Sequence, residues 1–433
     1  MFFVAATAGN QYAAMFRPET VALVGKSINM GRIKTEMTKS PTCTPKRQYH
    51  WRKWLATLAV CLVILCGVAL SFAPYLPRLL AEGFPAAHWP ANGHYAEING
   101  VPKPTKFKSA GLKPNPWAKQ LFDTYGSKAL LVFHKGQLKL EYYASDVSAQ
   151  TKFNSYSMAK SLVGVLVLKA HAEGLLKSLD DPIGRYLPTL ATEAVRNRPI
   201  RSFLDMRSGL SFEASSKTLA PGMPPKEKKI VQYNPFSRLA KLHMCGFESV
   251  QKGLRLNTDE IGQYKYQNIN TAVLAHLLVA LYHRPLETLL SEKIWRPAGA
   301  DTAFWRRYDA DKPVSPYCCI FATARDWLRI GRFLTHNGTD GKPFLPLNTW
   351  RSFMGGNLKK TQLKTNYYGY HVFHNILNRK GEPLQGRFTF MFGTGGQIIY
   401  LMPERDLVVV RMGEHTSLLH STLYSAWRSI SLR

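Results

Sequence analysis

The sequence predicts an α+β fold: an antiparallel sheet flanked by helices, with a helical region inserted into it, preceded by one transmembrane helix. Three observations predict it. Short apolar runs rich in strand-forming residues stand near both ends of the globular part, at 129–133, 138–143, 398–401 and 407–412. Apolar runs of helical length, 161–175 and 271–281, lie between them. Residues 55–73 form a 19-residue stretch without a single charge. Strands at the two ends of one domain with helices between them imply a sheet assembled from both chain termini.

Composition bounds the function. Apolar residues are 45% and charged residues 20% of the chain, which excludes wholesale disorder or a fibrous repeat. The net charge of +29 favours anionic partners, among them an anionic envelope surface. The basic residues are dispersed, with short clusters such as Lys226, Lys228 and Lys229, and neither zinc-finger spacing nor an RNA-recognition signature accompanies them. No nucleic acid partner is expected. Six cysteines are too few for a disulfide scaffold of this size. Cys43 precedes the apolar run and Cys61 and Cys66 lie within it; Cys245, Cys318 and Cys319 remain. One disulfide is possible in principle, but buried free thiols are the expectation, with Cys318 and Cys319 in the core. His371 and His374 lack a third ligand, so no metal is expected.

In chain order, 1–54 reads as a cytoplasmic tail without strong periodicity. Met37 is a second candidate start, because 37–72 alone makes a basic-then-apolar leader, which would leave 1–36 as an extension. At 1.5 Å per residue the run 55–73 can cross a bilayer core of about 30 Å. Lys46, Arg47, Arg52 and Lys53 precede it, so the positive-inside rule puts the N-terminus in the cytoplasm and the remainder in the periplasm. Ser71-Phe72-Ala73 resembles a cleavage site, but Pro74 follows it; the run therefore reads as an uncleaved signal anchor in the inner membrane. The stretch 74–117 is rich in Pro and Gly and reads as a linker or arm, and 118–433 as the functional domain. Within that domain, His134-Lys135-Gly136-Gln137 joins two strands as a hairpin, 212–258 shows few periodic signals, and 417–430 closes the chain as a helix.

The chemistry centres on Ser157-Met158-Ala159-Lys160 at the start of an apolar helix. Positions i and i+3 share a helix face, so hydroxyl and amine can meet. The helix N-terminus favours an oxyanion. A lysine among apolar neighbours loses solvation, which lowers its pKa and lets it act as a base. Ser-x-x-Lys is weak by itself, and Ser249-Val250-Gln251-Lys252 is a second copy in a polar stretch without a core pattern. A companion strengthens the first. Tyr266-Gln267-Asn268 stands just before the apolar run 271–281; Tyr266 can relay a proton, and Asn268, on the same side of an extended segment, can hold Lys160 and a substrate carbonyl. Gly393-Thr394-Gly395-Gly396-Gln397 opens a strand, where glycine lets a backbone N–H approach a ligand closely. A turn between strands and a buried, hydrogen-bonded Tyr are the plainer readings of these two motifs.

Taken in this order, the three motifs resemble the serine β-lactamase and penicillin-recognising superfamily, nearest its class C type. Ser-Met-Ala-Lys-Ser is closer still to the 6-aminohexanoate-dimer hydrolase branch. The resemblance extends through Asp180-Asp181-Pro182-Ile183, Phe203-Leu204-Asp205-Met206-Arg207-Ser208-Gly209-Leu210, Ala322-Thr323-Ala324-Arg325-Asp326 and the Gly395-Gly396-Gln397 to Pro403-Glu404 ending. It implies a β-lactamase/transpeptidase-like fold with the site between sheet and helical domain. It further implies Ser157 as the acylated nucleophile, Lys160 as its base, Tyr266 as proton relay and Asn268 as orienting group. The oxyanion hole would be the Ser157 N–H with one from Gly393, Thr394, Gly395 or Gly396, Thr394 being preferred. No cofactor is implied. One departure matters: members that bind β-lactams carry Lys-Thr-Gly where this chain has Met391-Phe392-Gly393 or Gly393-Thr394-Gly395, neither with a cation. The expectation is hydrolysis of a small-molecule ester or linear amide. The alternatives are a peptidoglycan-directed D-amino peptidase or β-lactamase, and a catalytically silent envelope-binding relative.

Overall fold

The structure, a computed structural model, describes residues 48–83, 85–212, 234–339, 341–415 and 419–431. The tail 1–47, with Cys43 and Met37, and the cluster Lys226, Lys228 and Lys229 lie outside the described residues. The chain divides into two units, Met1–Pro74 and Tyr75–Arg433. In the first, the helix Gln48–Phe72 contains a 20-residue stretch, Lys53–Phe72, long and apolar enough to cross a membrane or to serve as a signal sequence. Its apolar side chains, among them Leu58, Val63 and Leu65, are exposed.

In the second unit the strands are, in chain order, β1 (Tyr95–Ile98), β2 (Ser109–Leu112), β3 (Ser127–His134), β4 (Gln137–Tyr143), β5 (Lys152–Asn154), β6 (Ala303–Arg306), β7 (Ile320–Thr323), β8 (Gly338–Thr339), β9 (Lys342–Pro343), β10 (Tyr367–Gly369), β11 (Val372–Leu377), β12 (Gly386–Gly393), β13 (Gln397–Met402) and β14 (Leu407–Gly413). The large sheet has the order β10-β11-β12-β13-β14-β3-β4-β2, and a smaller one runs β1-β6-β7-β5. The predicted hairpin is β3–β4, and it pairs with β14 from the far end of the chain, Val132 opposite Val409. The sheet is thus closed by both termini, as the sequence predicts. The proline-rich stretch 74–117 does more than space: it supplies β1 to the small sheet and β2, parallel to β4, to the large one.

Side-chain alternation explains why the large sheet needs cover on both faces. Ala129, Leu131 and Phe133 of β3 and Val408, Val410 and Met412 of β14 join one core with the helices Met158–Ala172, Asn268–Tyr282 and Ala324–Thr335. Leu130, Val132, Leu407 and Val409 join a second core with the helices Pro116–Thr124 and Leu419–Ser431. The stretch 212–258, read as irregular, contains the helix Arg238–Cys245, started by the Ser237 hydroxyl accepting from the Ala240 N–H.

Candidate active site

Ser157 sits at the joint between β5 and the helix Met158–Ala172, as its N-cap residue. The turn that presents it is unusual. Tyr156 lies at φ 43°, in the left-handed region that costs a non-glycine residue of order 1 kcal/mol or more. Neighbours hold it there. The Asn154 side chain accepts from the Tyr156 N–H at 2.8 Å, and the Tyr156 hydroxyl donates to the Pro85 carbonyl at 3.1 Å. Ser155 exchanges two hydrogen bonds with Ile320: its N–H donates to the Ile320 carbonyl at 2.8 Å and its hydroxyl accepts from the Ile320 N–H at 2.9 Å.

One helical turn on, Lys160 is 1% exposed. Its side-chain nitrogen lies 2.9 Å from Ser157 Oγ and 2.9 Å from the Tyr317 carbonyl oxygen. It also lies 5.0 Å from the centre of the Tyr266 ring and 5.7 Å from that of Tyr317. The i, i+3 spacing therefore brings hydroxyl and amine into contact, and the Tyr266 ring closes over the amine. Ser157 and Tyr266 are each only half-buried, so solvent reaches the pair from one side. Tyr266 meets Tyr368 edge-on at 5.8 Å, and burial pushes the Tyr368 phenol above its ordinary range. The wall beside Tyr266 is thus aromatic and un-ionised.

Asn268 is placed differently from expectation. Gln267, in extended conformation, is the N-cap, and Asn268 is the first residue of the helix Asn268–Tyr282. Tyr266 and Asn268 stand on either side of a loop-to-helix junction, not on one face of an extended segment. His371 ties this helix to the nucleophile helix. Its Nδ1 donates to the Leu204 carbonyl, its Nε2 faces the Thr271 hydroxyl at 3.0 Å, and its own carbonyl accepts from the Ser161 hydroxyl at 2.7 Å. Burial pushes His371 down to about 3, so it is neutral. It is a core histidine, as is His374, bonded to Thr389 at 3.0 Å.

The glycine-rich motif splits into two parts. A Cβ at Gly393, the last residue of β12, would collide with the Ser155 carbonyl; only glycine lets this strand end meet the turn that carries Ser157. Thr394 follows in a short 3-10 turn. Gly395 and Gly396 face elsewhere. Gly396 is at φ 76°, and a Cβ there would strike Arg411 and the His415 carbonyl. Arg411 is 1% exposed and donates to the carbonyls of Gly396 at 2.7 Å and Tyr125 at 2.6 Å and to Ser127 Oγ at 2.8 Å. Burial lowers its pKa to about 10, which leaves it charged at neutral pH.

Other expectations resolve simply. In the second Ser-x-x-Lys, the Ser249 hydroxyl donates to the Gly246 carbonyl at 2.6 Å and Lys252 is exposed; the two sit in separate 3-10 turns. Cys318 and Cys319 are not free thiols: they are bonded to each other. Cys61, Cys66 and Cys245 are free. Tyr317 went unseen because it meets Lys160 through its backbone carbonyl, which leaves no mark on residue type.

Residues 119–420 match the Beta-lactamase family. No curated protein sequence matches the chain. Among solved structures, a protein assigned as a 6-aminohexanoate-dimer hydrolase from Bacillus anthracis is similar at 17% identity and TM-score 0.61, covering 78% of this chain and 90% of its own. A penicillin binding protein from Bacillus halodurans is similar at 12% identity and TM-score 0.50, covering 71% and 98%. A D-stereospecific amidohydrolase from Streptomyces is similar at 14% identity and TM-score 0.50, covering 73% and 98%. At these identities the likeness is one of fold.

Proposed function

Because the chain belongs to the Beta-lactamase family and is a hydrolase of that kind, we propose that it cleaves an ester or linear amide through an acyl-enzyme on Ser157. The observation that carries this reading is the 2.9 Å contact between the buried Lys160 amine and Ser157 Oγ. In its neutral form Lys160 takes the serine proton as the oxygen attacks the substrate carbonyl. The tetrahedral oxyanion is held by the Ser157 N–H at the helix N-terminus and by Thr394 beside Gly393. Gly395 and Gly396 shape that turn through Arg411. Tyr266 returns the proton to the leaving group, and Asn268 orients Lys160 and the substrate. Water then hydrolyses the acyl-enzyme by the same path in reverse. The uncharged Met391-Phe392-Gly393 favours an ester or linear amide over a carboxylate-bearing β-lactam.

The apolar helix anchors the chain in the inner membrane with the catalytic domain in the periplasm, in this reading; recovery of the protein wholly in a soluble cytoplasmic fraction would refute the anchor. The catalytic reading is tested with p-nitrophenyl esters and anilides on the wild-type protein and Ser157→Ala. The expected result is turnover that the substitution abolishes. Equal turnover by both proteins overturns the reading.

A further inference from the structure

In the three consecutive residues Tyr317, Cys318 and Cys319, the first and the last each hold a different part of the site described above, and the middle one is tied to the core. The Tyr317 carbonyl accepts from the Lys160 amine at 2.9 Å. The Cys318 carbonyl accepts from Trp305 Nε1 at 3.0 Å. The Cys319 N–H donates to the Tyr156 carbonyl at 3.4 Å, and its own carbonyl accepts from the Arg306 N–H at 3.0 Å. The next residue, Ile320, makes the paired bonds to Ser155. The segment therefore grips the base on one side and the nucleophile turn on the other.

Cys319 adopts φ 73°, a left-handed conformation that a side-chain-bearing residue leaves unless something holds it. The Cys318–Cys319 bond does so by closing a small ring around the peptide unit between them. Once that ring opens, only the hydrogen bonds on this segment oppose relaxation of residue 319 from its left-handed conformation, and that relaxation would shift the Tyr317 carbonyl two residues back.

We propose that the Cys318–Cys319 disulfide is a positioning device: it fixes the Tyr317 carbonyl that aims Lys160 at Ser157, and its reduction lowers turnover without unfolding the protein. The inference rests on the proposed roles of Ser157 and Lys160. The chemistry balances with a dithiol as reductant. A reductant thiolate attacks the half-buried Cys318 sulfur and the Cys319 thiolate leaves and takes a proton. The second reductant thiol then displaces Cys318 as a thiol and departs as a cyclic disulfide. Two electrons and two protons pass to the protein, and air or an added disulfide returns it to the oxidised form. Misplacement of a catalytic group by about 1 Å costs up to about a hundredfold in rate, so reduction should lower kcat by about tenfold to a hundredfold.

The test uses the purified full chain before and after dithiothreitol, with p-nitrophenyl acetate as probe and alkylation followed by peptide mass spectrometry as the thiol count. The expected result is no alkylation at 318 and 319 before reduction and two adducts after it. The fall in kcat should be reversed on reoxidation, with an unchanged melting temperature. The double variant Cys318→Ser/Cys319→Gly keeps a residue suited to φ 73° but removes the bond. It should be insensitive to dithiothreitol and show a displaced acid-side limb in its pH–kcat profile, where Lys160 loses its proton, which a purely packing role would leave in place. Alkylation of both cysteines in the untreated protein, or equal kcat in the two redox states, overturns the inference alone. Absence of turnover in both states overturns the hydrolase reading and this inference with it.

Discussion

Replacing Lys160 by Met separates catalysis from folding. Met matches the length and volume of the lysine stem, so the apolar packing around a side chain 1% exposed is retained. What is lost is the nitrogen, with its 2.9 Å contacts to Ser157 Oγ and the Tyr317 carbonyl. A positioned general base is worth about 10²–10⁴ in rate, or about 2.7–5.4 kcal/mol at roughly 1.36 kcal/mol per decade. Stability runs the other way. The unmet Tyr317 carbonyl costs about 1–3 kcal/mol, and relief from burying an amine offsets several kcal/mol of desolvation. Lys160→Met should therefore lower kcat by about a thousandfold and leave the melting temperature within a few degrees of wild type or above it. Steady-state hydrolysis of p-nitrophenyl acetate, with differential scanning calorimetry on the same preparation, reads both numbers. A variant that keeps its turnover, or one that loses turnover only because it unfolds, refutes the reasoning.

Three further outcomes follow from the same geometry. Gly393→Ala puts a methyl group into the Ser155 carbonyl, so kcat should fall by at least tenfold while far-ultraviolet circular dichroism stays native; full activity would show that β12 does not abut the nucleophile turn. Arg411→Met leaves the Gly396 and Tyr125 carbonyls unpaired, at about 1–3 kcal/mol each, and urea denaturation should report a loss of roughly 2–6 kcal/mol; an unchanged midpoint contradicts the cradle. The third concerns pH. Burial holds His371 down to about 3 and His374 to about 4, against 6.5 in the unfolded chain. The unfolded state therefore binds the protons first, and stability falls as pH drops below 6.5 toward those values, by up to about 1.4 kcal/mol per pH unit for each. His374→Gln should flatten the urea midpoint between pH 7 and 5, and an unaltered slope would count against a neutral buried imidazole.

Much of this architecture was legible because it rests on periodicity and spacing. The alternation in 129–143 and 398–412 carries the two-faced sheet, and the apolar run after Ser157 carries the helix that stacks Lys160 under it. The Tyr266-Gln267-Asn268 motif was found through its place ahead of an apolar helix, though the helix begins one residue inside the motif, at Asn268. Elements that act through backbone or tertiary contact left little trace. Tyr317 contributes a carbonyl. Gly396 is glycine because Arg411, fifteen residues on, lies where its Cβ would be. The helix Arg238–Cys245 is only eight residues long, too short for its apolar face to stand out from the surrounding loop. The bond between Cys318 and Cys319 accompanies a left-handed residue that no local pattern announces.

The central claim is that Ser157 is activated by the amine beneath it, and active-site labelling tests this most directly. Incubation with a fluorophosphonate, digestion and mass spectrometry should place a single adduct on Ser157, formed at least a hundredfold more slowly in Lys160→Met. An adduct on another serine, or labelling of Ser157 at the same rate without the lysine, would contradict it.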